Sequence, residues 1–156
     1  MKRSGAPIRE TRSHCNARET GMPPRILFTP ENHRSHRATD GGRLGLNRPY
    51  PTIEEHDEAL IARRNAAVGP GDILWHLGDV CHRCPVDWAR AIFARFSGRR
   101  RFLVRGKHEK INVRLAWDVM FAVARVPEPL AGGGVQGVWC SHYIQRDWLR
   151  LHHGDI

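Results

Sequence analysis

Long apolar runs are missing from this chain. Nothing approaches the ~18 consecutive apolar residues of a membrane-spanning helix, and the N-terminal MKRSGAPIRETRSHCNARET has no apolar stretch to act as a secretory leader. A soluble, cytoplasmic protein without a membrane partner is expected. Cysteine is also scarce: Cys15, Cys81, Cys84 and Cys140 are too few and too irregularly spaced for a disulfide framework, which excludes the small disulfide-stapled secreted classes. Lysine is nearly absent, with 3 Lys among the 25 basic residues and 22 Arg making up the rest. The net charge of +9 therefore rests on guanidinium groups, whose forks match phosphate oxygens; a coding bias toward arginine explains the same count equally well.

What is present fits one domain, since 156 residues at 40% hydrophobic content supply one real core. Residues 1–25 are polar, Arg-rich and aperiodic, and are expected to be a disordered tail ahead of a domain spanning 26–156. Met22 stands just before the first strand, RILFT, as a second candidate start. A loop, RATDGGRLGLNRPYP, leads to Thr52 and Glu55 at capping-box spacing, which predicts a helix from about Ile53 to Ala67. ILWHL reads as a strand stopped by Gly78 and Asp79. PVDWARAIFARFSG reads as a helix with Ala89, Ile92, Phe93 and Phe96 on one face. RFLV is the next strand, INVRLAWDVMF is ambiguous between helix and loop, and FAVARV with VQGVWCSHY forms a hairpin around a PEPLAGGG turn.

Strands alternating with helices argue for a layered α/β domain, in which function collects at the carboxyl ends of strands. Candidate ligands stand at four such ends: Glu31 and His33 after ILFT, Asp79 after ILWHL, His108 after RFLV, and His142 in GVWCSHY. Each alone has a plain reading as a cap or loop residue. Together they form a carboxylate and imidazole set of the kind that Mn, Fe and Zn accept.

These residues resemble the calcineurin-like metallophosphoesterases, in particular their small bacterial and phage members, over Ile26 to Gly154. The most specific stretch is NRPYPTIEEHDEALIARRNAAVGPGDILWHLGDV, which is similar to that subgroup's connecting helix and Gly-Asp motif at Gly78 and Asp79. ENHRSH matches the spacing of the first motif, Asp-x-His then Phe-Gly-His, with Glu31 in the Asp position, His33 in the His position and His36 in the last one. GKHE resembles Gly-Asn-His-Asp, with Lys107 for Asn and Glu109 for Asp, and SHYIQRDWLRLHHG resembles the segment carrying His142. By the same resemblance the last motif, Gly-His-x-His, would follow a few residues beyond Gly154, and the sequence stops at Ile156.

The resemblance implies a layered α/β/β/α metallophosphoesterase-like sandwich with mixed sheets, C-terminally truncated. It implies up to two divalent ions (Mn, Fe, Zn or Ni) held by Glu31, His33, Asp79 and His142, with Asp79 as the bridge. His108 would protonate or steady the leaving-group oxygen, and His36 and Arg105 would steady ligands or touch phosphate. The altered positions Lys107 and Glu109 would impair the centre, because an ammonium has donors but no acceptor and cannot ligate. By the same resemblance, Glu31→Asp would restore the carboxylate length.

The expected activity is hydrolysis of a small phosphate monoester or diester. The alternatives are a catalytically silent relative that binds phosphorylated ligands or nucleic acid, and a truncated reading frame. CHRC at 81–84 has zinc-knuckle spacing without a second pair and is read as two ordinary thiols, GRRRF as a solvated turn, and the five tryptophans as core and interface aromatics.

Overall fold

The structure is a computed structural model and describes residues 24–32, 34 and 49–156. Four strands, β1 (Ile26–Thr29), β2 (Ile73–His76), β3 (Arg100–Val104) and β4 (Val119–Phe121), form one parallel sheet in the order β1-β2-β3-β4. Two long strands, β5 (Val123–Pro129) and β6 (Val135–Ser141), form an antiparallel hairpin. The fold is therefore α/β, with the two kinds of pairing segregated into separate sheets.

Helix α1 (Ile53–Ala67) occupies the predicted span, and Thr52 Oγ1 accepts a hydrogen bond from the Glu55 backbone N–H at 3.2 Å. The cap satisfies one of the amides that a helix start leaves without an intrahelical partner. Helix α2 (Val86–Ala94) follows β2, and α3 (Glu109–Asn112) is a single turn inside the ambiguous segment. That segment resolves into α3 and then β4. Pro127, Glu128 and Pro129, expected in the turn, belong to β5 instead, so the hairpin turn is confined to Leu130–Gly134.

Sequential order in a parallel sheet, with crossovers of one hand, puts the connecting helices on one face and frees the other. One apolar cluster accordingly joins Ile61 of α1, Ala89, Ile92 and Phe93 of α2, Phe96, and Leu103 of β3. The other joins Trp75 and Val104 of the sheet to Ala124, Val126 and Cys140 of the hairpin. Leu103 and Val104 are neighbours that point to opposite faces, as the period of two in a strand requires. Burying each large side chain on α2 is worth roughly 1.5–3 kcal/mol. The layers are thus helix, parallel sheet and hairpin; the expected outer helical layer is not among the described residues, where only the short 3-10 turn Leu151–His153 lies beyond β6.

Carboxylates fasten the stretches around Arg25 and Asp155. Arg25, from the segment read as tail, bonds Asp72 through its backbone N–H and its guanidinium and also reaches the Ala67 carbonyl. Asp155 accepts from Arg125, Trp139 and the Gly137 N–H, while Ile156 pairs with Gly137 and Trp139 along β6. Residues 1–23 and His33 and His36 lie outside the described residues. No helix among the described residues is long and apolar enough to cross a membrane.

Candidate metal site at the strand ends

Parallel pairing of β1, β2 and β3 aligns their carboxyl ends along one edge, and β6 delivers its own end to the same place. Glu31, Asp79 and His142 meet there, with one ligand atom of each within 4.8 Å of the others. His142 Nε2 is 3.6 Å from Asp79 Oδ2 and 4.0 Å from Glu31 Oε2. The His142 Nδ1–H donates to the Leu77 carbonyl at 2.8 Å, which orients the ring with Nε2 toward the two carboxylates. Burial is graded: the side chain of Asp79 is 2% exposed, His142 11% and Glu31 52%, so the cluster opens to solvent at Glu31.

The backbone is shaped around these groups. Asp79 has φ 51°, a left-handed conformation uncommon for a non-glycine residue and typical of functional turns. At Gly78, φ is 97°, and a Cβ there would sit 2.6 Å from His142 Nδ1. A Cβ on Gly106 would lie 2.8 Å from the His142 ring and closer still to Asp79. Glycine at 78 and 106 keeps open the space that the imidazole and carboxylate fill.

Two residues lock the loops together. Glu109 Oε1 accepts from the Asp79 N–H at 2.7 Å and from the Gly106 N–H at 2.9 Å. Glu109, an altered motif position by the resemblance, clamps the β2 and β3 ends together. The second is Asn112, which sequence reasoning missed. Fully buried, it accepts from Cys81 N–H and donates to the carbonyls of Cys81 and His108. A lone Asn inside an ambiguous segment carries no signal for this.

His108 joins the site through its backbone, donating its N–H to Asp79 Oδ1 at 2.7 Å. Its ring packs edge-on against His82, centroids 4.5 Å apart, a neighbour hidden within a segment that drew notice for its cysteines. Those cysteines, Cys81 and Cys84, are buried in the helix-side core, and the bond with Cys84, then burial, push the Cys81 thiol well above its usual range. Lys107 and Arg105 are both exposed. Arg100 and Arg101 of the basic run are engaged structurally, with Asp118 and with the Phe93 carbonyl respectively. A hollow of about 300 Å³ bordered by Trp139, Tyr143 and Trp148 contains none of the three clustered ligands.

Two carboxylates and an imidazole held this close suit a divalent cation of the Mn, Fe, Zn or Ni kind, and the glycine cradle leaves the donors room to converge. No other such group occurs among the described residues.

A strand-end cluster on an α/β fold of this kind defines a candidate metalloprotein. No family model matches the chain. It is similar to the Gene 66 protein of Mycobacterium phage D29, 29% identical over 133 residues, covering 76% of this chain and 63% of that one. It also resembles a solved protein of unknown function from Aquifex aeolicus, with a TM-score of 0.53 and 23% identity over 76% of this chain and 60% of that one. The second likeness supports the fold. The chain spans less than two thirds of either protein.

Proposed function

We propose that this chain is a metal-dependent phosphoesterase of the calcineurin-like type, acting on a small phosphate monoester or diester through one divalent ion. The observation that carries the reading is the convergence of Glu31, Asp79 and His142, with the His142 ring oriented by the Leu77 carbonyl. A bound ion supplies Lewis-acid polarisation of a phosphoryl oxygen and lowers the pKa of water. Asp79, fixed by the His108 N–H, and Glu31, at the solvent side, provide the anionic donors; His142 provides a nitrogen. His108, brought to this corner by its backbone bond to Asp79, would protonate the leaving-group oxygen. The one group of three donors among the described residues supports one ion, so activity is expected to fall well below that of a two-ion centre.

The test combines Mn titration by calorimetry with hydrolysis of an aryl phosphodiester. One equivalent of Mn should bind, and binding should be lost in Asp79→Asn and in His142→Ala. Slow turnover should appear with Mn and drop further in His108→Ala while Mn binding persists. Mn binding without any turnover would favour the silent relative; no Mn binding would remove the reading altogether.

A further inference from the structure

The hairpin carries a hollow of about 300 Å³ walled by three aromatic side chains, Trp139, Tyr143 and Trp148. Cys140 points into the core shared with the parallel sheet, so Trp139 and Ser141 on either side of it point outward, by the period of two in a strand. Both indole N–H groups are already committed. Trp139 Nε1–H donates to Asp155 Oδ2 at 3.3 Å, and Trp148 Nε1–H donates to the Asp155 carbonyl at 3.1 Å. Asp155 is in turn held by Arg125 and by the Gly137 N–H. The two rings are therefore pinned from one residue, and what they have left to offer a ligand is carbon surface.

Polar side chains share the lining: Ser141, Gln145 and Asp147. Gln145 Nε2 donates to Ser141 Oγ at 3.1 Å, and Asp147 Oδ1 accepts from the Trp148 N–H at 2.9 Å, so the loop that carries the rings also positions these groups. Both side chains bring acceptor oxygens. Tyr143 is 56% exposed and packs edge-on against His142, centroids 5.1 Å apart. Ser141 and Tyr143 stand one residue to either side of His142, about 3.8 Å per Cα step, so the hollow borders the Glu31, Asp79 and His142 cluster without containing it. Its volume lies at the lower limit of the roughly 300–1,000 Å³ typical of small-molecule sites, which leaves room for one ring system rather than for a peptide segment.

We infer that this hollow binds a nucleobase bearing an exocyclic amine, stacked on the aromatic walls with its amine donating to Gln145 and Asp147. Stacking rewards any flat π-face, and acceptor oxygens at the rim select an edge that presents N–H groups. A quaternary ammonium is the other ligand that aromatic walls beside a carboxylate accept. The net charge of +9 opposes that cation. The inference concerns binding of the base alone, and it stands whether or not the neighbouring cluster hydrolyses an ester.

The experiment is calorimetric titration of the full chain with adenosine in EDTA, a condition that takes metal-dependent hydrolysis out of the comparison. Saturable binding is expected, with a Kd at or below about 1 mM. Purine riboside, the same ring without the amine, should bind about three- to tenfold more weakly. Tyr143→Phe keeps the ring and should bind adenosine as the parent does. Tyr143→Ala should keep the melting midpoint, because the ring is exposed, and lose roughly five- to a hundredfold in affinity. Gln145→Leu combined with Asp147→Ala should erase the difference between the two nucleosides. The inference falls if adenosine does not bind, if Tyr143→Ala binds it like the parent, or if the amine makes no difference to the parent. It also falls if tetramethylammonium binds more tightly than adenosine, because the aromatic walls would then serve a cation.

Discussion

Gly106 and Asp79 approach so closely that a Cβ on the glycine would lie 2.5 Å from Asp79 Oδ1. That carboxylate oxygen is already held by the His108 N–H, and the side chain is buried, so it has no room to swing aside. Gly106→Ala should therefore displace Asp79 or His142. The expected result is a Mn affinity at least tenfold lower, with a stability loss of about 1–3 kcal/mol from overpacking. Calorimetry and urea unfolding measure the two separately; wild-type Mn affinity in this variant would show that the corner is looser than its geometry.

Glu109 provides a second check, because one oxygen serves two backbone amides from different loops. Glu109→Ala leaves both donors without their acceptor and should cost about 2–3 kcal/mol in urea unfolding. Glu109→Gln keeps a carbonyl oxygen in that place and should recover about half of the loss. Equal losses in the two variants would mean that the charge, rather than the two bonds, holds the loops.

The contrast between α1 and α2 explains how much of the molecule was legible in its residues. α2 declares itself through Ala89, Ile92 and Phe93, buried as expected, with Phe96 buried just past its end. α1 was readable from its cap alone, because the side it buries carries His56, Asp57 and Arg64 beside Ile61. Hydrophobic periodicity is silent about such a face. Asp79 and His142 were legible because each follows an apolar strand that ends abruptly. Asn112, the His82 contact and the clamp role of Glu109 were not, since each depends on which backbone groups two separate loops leave without partners. His33 and His36 lie outside the described residues, and so does nearly all of the segment 1–25.

His76 makes stability depend on pH. It is fully buried on β2, donates Nε2–H to Asn32 Oδ1 at 3.0 Å, and faces Arg64, Arg34, His142 and the Trp117 ring. Burial first, then the positive charges of Arg64 and Arg34, hold its pKa well below 6.5. The unfolded chain therefore binds a proton near pH 6.5 that the folded one refuses. Stability is fully present above that pH and falls as pH drops toward the folded pKa, by at most about 1.4 kcal/mol per pH unit. Urea midpoints between about pH 7.5 and 5 should show this decline, and His76→Gln, which keeps a donor to Asn32, should flatten it. An unchanged slope in His76→Gln would assign the effect to another group.

The Asp155 clamp should act in a lower window. Its pKa is brought down to about 2, chiefly by the bond from Arg125, with Trp139 and the Gly137 N–H contributing. Its stabilisation is present above the ordinary carboxylate pKa of about 4 and is lost as pH falls through about 2. Asp155→Asn should unfold more readily than the parent at pH 7, and the difference should shrink below pH 3. A difference that persists at pH 2 would mean that shape, not charge, fastens the end of the chain to β6.

The last prediction separates the structure from the motif comparison at Glu31. By resemblance, shortening this residue to aspartate should restore the ligand. In the structure the longer carboxylate already reaches the cluster, with Oε2 4.0 Å from His142 Nε2. Glu31→Asp withdraws that oxygen by one methylene from a backbone held by the Asn32 N–H bond to the Asp79 carbonyl at 3.3 Å. Mn affinity should therefore fall, by about tenfold, rather than rise. Lys107→Asn should act oppositely. It removes an exposed ammonium from the turn beside Asp79, and the gain should be about two- to fivefold in Mn affinity at low salt, fading as salt screens it. Calorimetric titration of both variants at two ionic strengths decides the matter: a rise in Glu31→Asp would mean that the chain adjusts its backbone to the shorter acid, and that the glutamate here is a departure and not an adaptation.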